Sequence, residues 1–243
     1  MIYHISGSDC TCKTSLCNKL KDNLKLNVIH FDKPKDMEDG KKQYFNFLNN
    51  LKESVICDRF HDGEYIYAPI YRGYTADYLL EFEKELRKYP YLFINTVSDI
   101  KTVINRATLR GEDFVKFDDF SKILQLFEDY LKMQNMPYLK LDTSNSTIEN
   151  NVLDNYCNEI IKYSEIIENL FEKNVNGDIY FGNLKARYII YADDYNELLR
   201  RKGMILNADK KYNQINYEEY WFTTLKDKEF FKYQQKLILG YTI

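Results

Sequence analysis

The segment Gly7-Ser8-Asp9-Cys10-Thr11-Cys12-Lys13-Thr14 constrains this chain most, because it has the spacing of a phosphate-binding loop, G-x-x-x-x-G-K-S/T, with cysteine at the second glycine. Its context gives the motif meaning. Ile2 to Ile5 is a short apolar run that reads as a strand, and Leu16, Leu20 and Leu24 recur at helical spacing after Lys13. In such a loop backbone N–H groups point at phosphate oxygens, the helix N-terminus adds partial positive charge, and the lysine bridges the terminal phosphates. Gly7, Asp9, Cys10, Thr11, Cys12, Lys13, Thr14 and Ser15 are therefore the candidate nucleotide-binding residues, with Thr14 facing Mg²⁺. Cys12 stands where glycine would allow close approach, so its side chain is expected to crowd the phosphates or resist the backbone angle.

The rest of the first two thirds alternates strand and helix. Asn27 to Phe31, Val55 to Cys57, Tyr91 to Asn95 and Tyr138 to Leu141 are short apolar runs suited to buried parallel strands. Between them Met37 to Leu51, Ala76 to Tyr89, Ile100 to Leu109 and Phe117 to Leu131 have helical spacing. Parallel strands need crossovers long enough to hold a helix, so the pattern predicts a three-layer P-loop α/β fold: a five-stranded parallel sheet with helices on both faces. Ser146-Thr147-Ile148-Glu149 matches a capping box opening a long helix to about Asn174, which would close a domain of residues 1–174. Residues 175–243, with a strand at Ala186 to Ala192, form a small C-terminal α/β appendage, in which Trp221 reads as a core anchor or an interface residue.

A formal charge of −3 from 34 basic and 37 acidic residues, mixed along 243, leaves no basic field for duplex DNA and favours small-molecule partners over nucleic acid. No apolar stretch approaches the roughly 20 residues that cross a bilayer. The opening Met-Ile-Tyr-His lacks an export signal, and the scattered cysteines fit reduced thiols, so a cytoplasmic location is expected. Cys10-x-Cys12 with Cys17 also permits a metal or redox reading, though the spacing matches no four-ligand zinc pattern; Cys17 and Cys57 fit core packing.

Two further constellations carry charge to the expected sheet edge. Asp58-Arg59 follows the third strand, where Asp58 can hold Mg²⁺ through water or accept a proton and Arg59 can clamp an acceptor phosphate. Tyr65 to Tyr74 reads as a short aromatic loop in which a base stacks near Tyr67 while Arg72 meets its polar edge; the alternative is ordinary tyrosine packing. Arg106 to Asp113 reads as a hinged lid, with Arg110 beside Gly111 as its working arginine and Arg106 as a solvated helix charge.

Taken together, the loop with Lys13-Thr14, then Asp58-Arg59-Phe60, then Arg110-Gly111-Glu112, resembles the thymidylate kinase-like nucleoside monophosphate kinases. Asp58 to Gly73 is similar above all to the forms encoded by bacteriophages, and the resemblance covers about residues 1–165. It implies an ATP- and Mg²⁺-dependent kinase of dTMP or a related deoxynucleotide, in the cytoplasm of a phage host. Its implied site has Lys13 and Thr14 at ATP, Arg59 at the acceptor phosphate, Arg110 in the lid, Asp142-Thr143-Ser144 beside the adenine, and Glu64 and Asp58 as base or metal partner. Cys10 and Cys12 replace two inner glycines of the family's loop, and nothing after residue 175 matches it. A deoxynucleoside kinase, a non-catalytic nucleotide-binding protein and a kinase of modified bases in DNA are the competing readings, and a homodimer surface is one role open to the tail.

Overall fold

The computed structural model describes residues 1–86, 88–111, 115–133, 138–144, 150–173, 188–192 and 220–224. Seven strands and seven helices are described in these segments: β1 (Ile2–Gly7), α1 (Lys13–Leu24), β2 (Asn27–His30), α2 (Met37–Asn50), β3 (Val55–Asp58), α3 (Asp62–Tyr71), α4 (Leu79–Leu86), β4 (Tyr91–Val97), α5 (Ile100–Arg110), α6 (Phe120–Met133), β5 (Tyr138–Asp142), α7 (Asn150–Lys173), β6 (Tyr188–Ala192) and β7 (Tyr220–Thr224). A single 3₁₀ turn, Phe117–Asp119, leads into α6.

All five predicted strands form one parallel sheet in the order β2-β3-β1-β4-β5. Alternation along β1 splits the core into two layers, since successive side chains face opposite sides. Tyr3 and Ile5 meet Leu16, Cys17 and Leu20 of α1 and Tyr156, Cys157 and Ile160 of α7. Ile2 faces the other layer, where Phe31, Tyr44, Leu48, Phe60, Phe82 and Leu86 cluster. The chain thus leaves β1 toward one face and β3 toward the other, and the crevice between two such loops is where open α/β sheets bind ligands.

Local signals fixed several boundaries. Asp36 caps α2, its carboxylate accepting from Asp39 N at 2.8 Å, and Asp99 caps α5 through Thr102 N at 2.9 Å. Gly111 ends α5 in the left-handed region, φ 71°, its N–H returning to Ala107 O.

The structure corrects three readings. The aromatic segment expected as a loop is largely helix α3: Pro69 lies inside it and cannot donate to the carbonyl four residues back, and the helix ends at Tyr71, shortly after it. The helix expected from Ala76 starts at Leu79, after a turn in which Asp77 N donates to Thr75 O at 3.0 Å. Arg106 and Arg110 both lie inside α5 rather than in an inter-helix hinge. In the C-terminal region β6 and β7 pair in parallel as a two-stranded sheet. The capping box at 146–149, Glu112 and Asp113 fall outside the described residues, as does the side chain of Trp221 in β7.

Candidate active site

The loop after β1 is built around one glycine and two cysteines. Gly7 has φ 138°, and a Cβ there would collide with the Thr96 carbonyl, so the loop passes over β4 only without a side chain. Cys10 and Cys12 adopt φ 62° and 64°. The loop therefore takes the turn that glycine usually supplies, at a strain of roughly 1–2 kcal/mol per residue. Thr11 Oγ1 donates to Ser8 O at 2.7 Å and lies 2.8 Å from Thr96 Oγ1, closing the loop onto β4. Lys13 opens α1, and its buried Nζ donates to Gly7 O at 2.8 Å and Ser8 O at 2.5 Å. Burial lowers its pKa, with Asp9 opposing.

At the end of β3, Asp58 Oδ2 meets His30 Nδ1 at 2.9 Å, while buried Oδ1 has no hydrogen-bond partner. Arg59 turns into the left-handed region, φ 58°, and its guanidinium lies 3.9 Å from Asp9. A non-glycine residue held in that conformation is strained, and such strain is enriched at functional turns. Its neighbour Asp62 is buried against His4 Nε2 at 2.7 Å and accepts from Ser6 Oγ. Burial raises the Asp62 carboxyl, but the His4 charge and the bonds from His4 and Ser6 outweigh it, and its pKa ends below the usual carboxylate value.

Further along α3, Glu64 and Arg72 form a buried ion pair. Tyr74 and Tyr78 donate to the same carboxylate at 2.6 and 3.4 Å. Burial nevertheless raises the Glu64 pKa, against the lowering from Tyr74 and Arg72. Arg72 Nη2 donates to Gly63 O at 3.3 Å, while its buried Nε has no partner.

Two cavities meet over this loop. One, of about 230 Å³, is lined by Gly7, Asp9, Lys13, Arg59, Glu64, Tyr67 and Arg72, together with Phe31, Tyr44, Phe60 and Phe127. The other, of about 350 Å³, is lined by Asp9, Cys10, Thr11, Cys12, Lys13, Thr14 and Ser15 with Arg59, Arg106 and Arg110. Asp9, Lys13 and Arg59 border both. Asp58, at the end of β3, lines neither cavity, and neither do Asp142, Thr143 and Ser144 of the expected adenine-side loop.

Four residues at the site escaped the sequence reading. Arg106 is no solvated helix charge: it donates to Cys10 O at 3.2 Å and to Thr143 O at 2.7 Å. Its spacing of four from Arg110, one face of a helix, was the available signal. Asp32 and His30, at the end of β2, line the aromatic cavity, as their strand-end position allowed. Asp62 lines it too, and its pairing with His4 across the sheet left no local sequence signal.

Sheet order, loop and paired cavities define a P-loop protein of the nucleotide-kinase fold. The thymidylate kinase family model matches residues 42–154, so the match begins after the phosphate loop and the loop geometry stands independently of it. The SPbeta prophage-derived uncharacterized protein YorR of Bacillus subtilis (strain 168) is 24% identical over 143 residues, covering 57% of this chain and 87% of YorR. The crystal structure of the B. subtilis YorR protein in complex with phosphorylated GDP superposes with TM-score 0.60 at 20% identity, covering 70% of this chain and 98% of that one. A deoxyadenosine kinase from M. mycoides, with TM-score 0.45 and 13% identity over 67% of this chain and 100% of its own, is too distant to carry an argument. The resemblance read from the motifs is borne out as far as these matches reach: residues 42–154 match the thymidylate kinase family model, and a similar protein is prophage-derived. No helix among the described residues is long and apolar enough to cross a membrane.

Proposed function

We propose that the protein transfers the γ-phosphate of ATP to a deoxynucleoside monophosphate, dTMP or a related pyrimidine nucleotide. The observation that carries this reading is the meeting of the two cavities at Asp9, Lys13 and Arg59. A phosphate donor in the loop and an acceptor in the aromatic cavity would put donor and acceptor phosphates at one basic junction, which is what phosphoryl transfer requires of a protein.

In this reading the amides of residues 7–14 and Lys13 hold the triphosphate, and Lys13 exchanges a loop carbonyl for a phosphate oxygen. Arg59 clamps the acceptor phosphate, and Arg110 closes from α5 over the donor. The unpartnered buried Oδ1 of Asp58 and the exposed Thr14 hydroxyl at the start of α1 suit a hard cation bound through oxygen and water. These two groups would hold Mg²⁺, which when bound would supply charge neutralisation of the phosphate oxygens. In the acceptor cavity Tyr67 and Phe60 offer aromatic surface, and the free Arg72 Nε donor suits a base that presents a carbonyl. Thymine and guanine both do, and the phosphorylated GDP bound by YorR supports a guanine nucleotide as the second reading.

The test is calorimetry of Mg²⁺-ATP binding followed by ADP release across dTMP, dGMP, dCMP, dAMP and the matching nucleosides. Turnover with a keto-bearing monophosphate is expected. Turnover with nucleosides only would make the protein a deoxynucleoside kinase with a buried carboxylate as base, and absence of ATP binding would sink the enzymatic reading. A cytoplasmic site of action follows from this reading alone.

A further inference from the structure

Five cysteines are present, and the fold sorts them sharply. Cys17, Cys57 and Cys157 are buried in the core at 2%, 0% and 0% exposure. Burial pushes all three thiols up, Cys157 to about 11, so they stay protonated and out of reach. Cys10 and Cys12 are half-buried and line the cavity at the phosphate loop, beside Lys13, Arg59, Arg106 and Arg110. Cys10 also borders a second opening of about 130 Å³ between Arg59 and Arg110. Two reachable thiols among four cationic side chains form a site for an anionic, thiol-directed reagent, because the field that gathers phosphate gathers any small anion.

We propose that the phosphate loop is a thiol-modification site, at which a small anionic disulfide forms a mixed disulfide with Cys10 or Cys12 and blocks the bound position of the nucleotide's phosphates. The claim that the adduct competes with nucleotide rests on the reading given above. The chemistry is thiol–disulfide exchange. The cysteine gives its proton to solvent, its sulfur attacks one sulfur of the incoming disulfide, the S–S bond breaks, and the other half departs as a thiolate that takes up a proton. The incoming disulfide is the only oxidant, and it is reduced as the cysteine is oxidised. Burial raises the Cys12 thiol while Arg106 and Lys13 oppose it. Cys10, which borders both openings, is thus the sulfur that attacks first.

The experiment incubates native protein with oxidised glutathione, a tripeptide disulfide of net negative charge, and reads the adduct by intact mass and peptide mapping. Mg²⁺-ATP binding is measured before and after modification by calorimetry. Expected are adducts confined to Cys10 and Cys12, slowed by Mg²⁺-ATP, loss of ATP binding on modification, and its return with dithiothreitol. In Cys10→Gly/Cys12→Gly, whose glycines suit the positive φ at both positions, the adducts should vanish, and the variant's own ATP affinity, whatever its level, should be the same with and without the disulfide. Absence of adducts while denatured protein labels fully, or labelling confined to other cysteines, overturns the proposal and leaves the nucleotide reading intact. Adducts at the loop that leave ATP affinity unchanged overturn it equally. Unmodified protein that never binds Mg²⁺-ATP sinks the nucleotide reading and the block with it.

Discussion

The Arg106 guanidinium donates from Nη2 to the carbonyl oxygen of Thr143 at 2.7 Å and from Nη1 to that of Cys10 at 3.2 Å, tying the loop after β5 to the phosphate loop. Thr143 is itself fixed to β4, its N–H donating to Val97 O at 2.7 Å. A hydrogen bond from a charged donor is worth roughly 1.5–3 kcal/mol. Arg106→Ala is therefore expected to raise KM for ATP by about tenfold or more, with a smaller change in acceptor KM. Arg106→Lys, which keeps the charge but reaches one carbonyl, should recover part of the loss. Steady-state kinetics varying each substrate separate these outcomes, and equal rises in both KM values would refute a role confined to the donor side.

Positive φ appears at Lys25 as well as in the phosphate loop. Lys25 caps α1 at φ 57°, exposed, its N–H returning to Lys21 O. Glycine is the ordinary residue there, so Lys25→Gly is expected to stabilise the fold by about 1 kcal/mol, roughly 2–4 °C in Tm. Cys12→Gly relieves the same strain inside the site and should gain a comparable amount. Thermal melts of the two variants side by side test whether the cysteine turn costs what the lysine turn does.

The fold was largely legible because parallel strands buried on both faces appear as short apolar runs, and all five were found. The turn of the phosphate loop was legible because it depends on local spacing; Arg59 and Arg110 border the cavity over that loop, whereas Asp58 lines neither cavity. Arg106 was misread, since its partners lie in Cys10 and Thr143, far along the chain and reached through backbone carbonyls that carry no residue signature. The helix α3 was misread because Pro69 and the tyrosines look like loop composition, whereas burial of Ile66 and Ala68 decides the conformation. Asp62 was invisible, because the histidine that holds it comes from β1.

The second half of that buried cluster predicts the acid response of the fold. His61 is buried, its Nε2 lying 3.0 Å from Tyr130 Oη, and burial, with the His4 charge, lowers its pKa to about 3. The unfolded chain binds a proton near pH 6.5 that the folded chain refuses. Stability should therefore fall as pH drops from about 6.5 toward 3, by up to about 1.4 kcal/mol per pH unit from this group. Asp62, depressed in the fold, adds loss in the same direction at lower pH. Denaturant melts between pH 7 and 4 should show the slope, and His61→Gln, which keeps hydrogen-bonding capacity without titrating in this range, should flatten it.

Glu64 and Arg72 form a buried ion pair at the aromatic cavity, at 1% and 8% side-chain exposure. Removing one partner strands the other charge without water, which costs roughly 3–5 kcal/mol, whereas removing both leaves no orphan charge. Glu64→Ala is thus expected to destabilise the fold by about 3 kcal/mol, and Glu64→Ala/Arg72→Met by clearly less. The cluster is also sterically closed: a Cβ on Gly40 would lie 2.5 Å from the Tyr78 hydroxyl and 3.2 Å from Glu64 Oε2. Gly40→Ala should therefore push Tyr78 off the carboxylate and destabilise by about 1–3 kcal/mol through overpacking. Acceptor binding discriminates the two effects. If Arg72 reads the base, the double variant folds well yet loses selection for keto-bearing bases, while Gly40→Ala keeps that preference at reduced affinity. A double variant that retains its base preference would assign the pair to the architecture of the cavity alone.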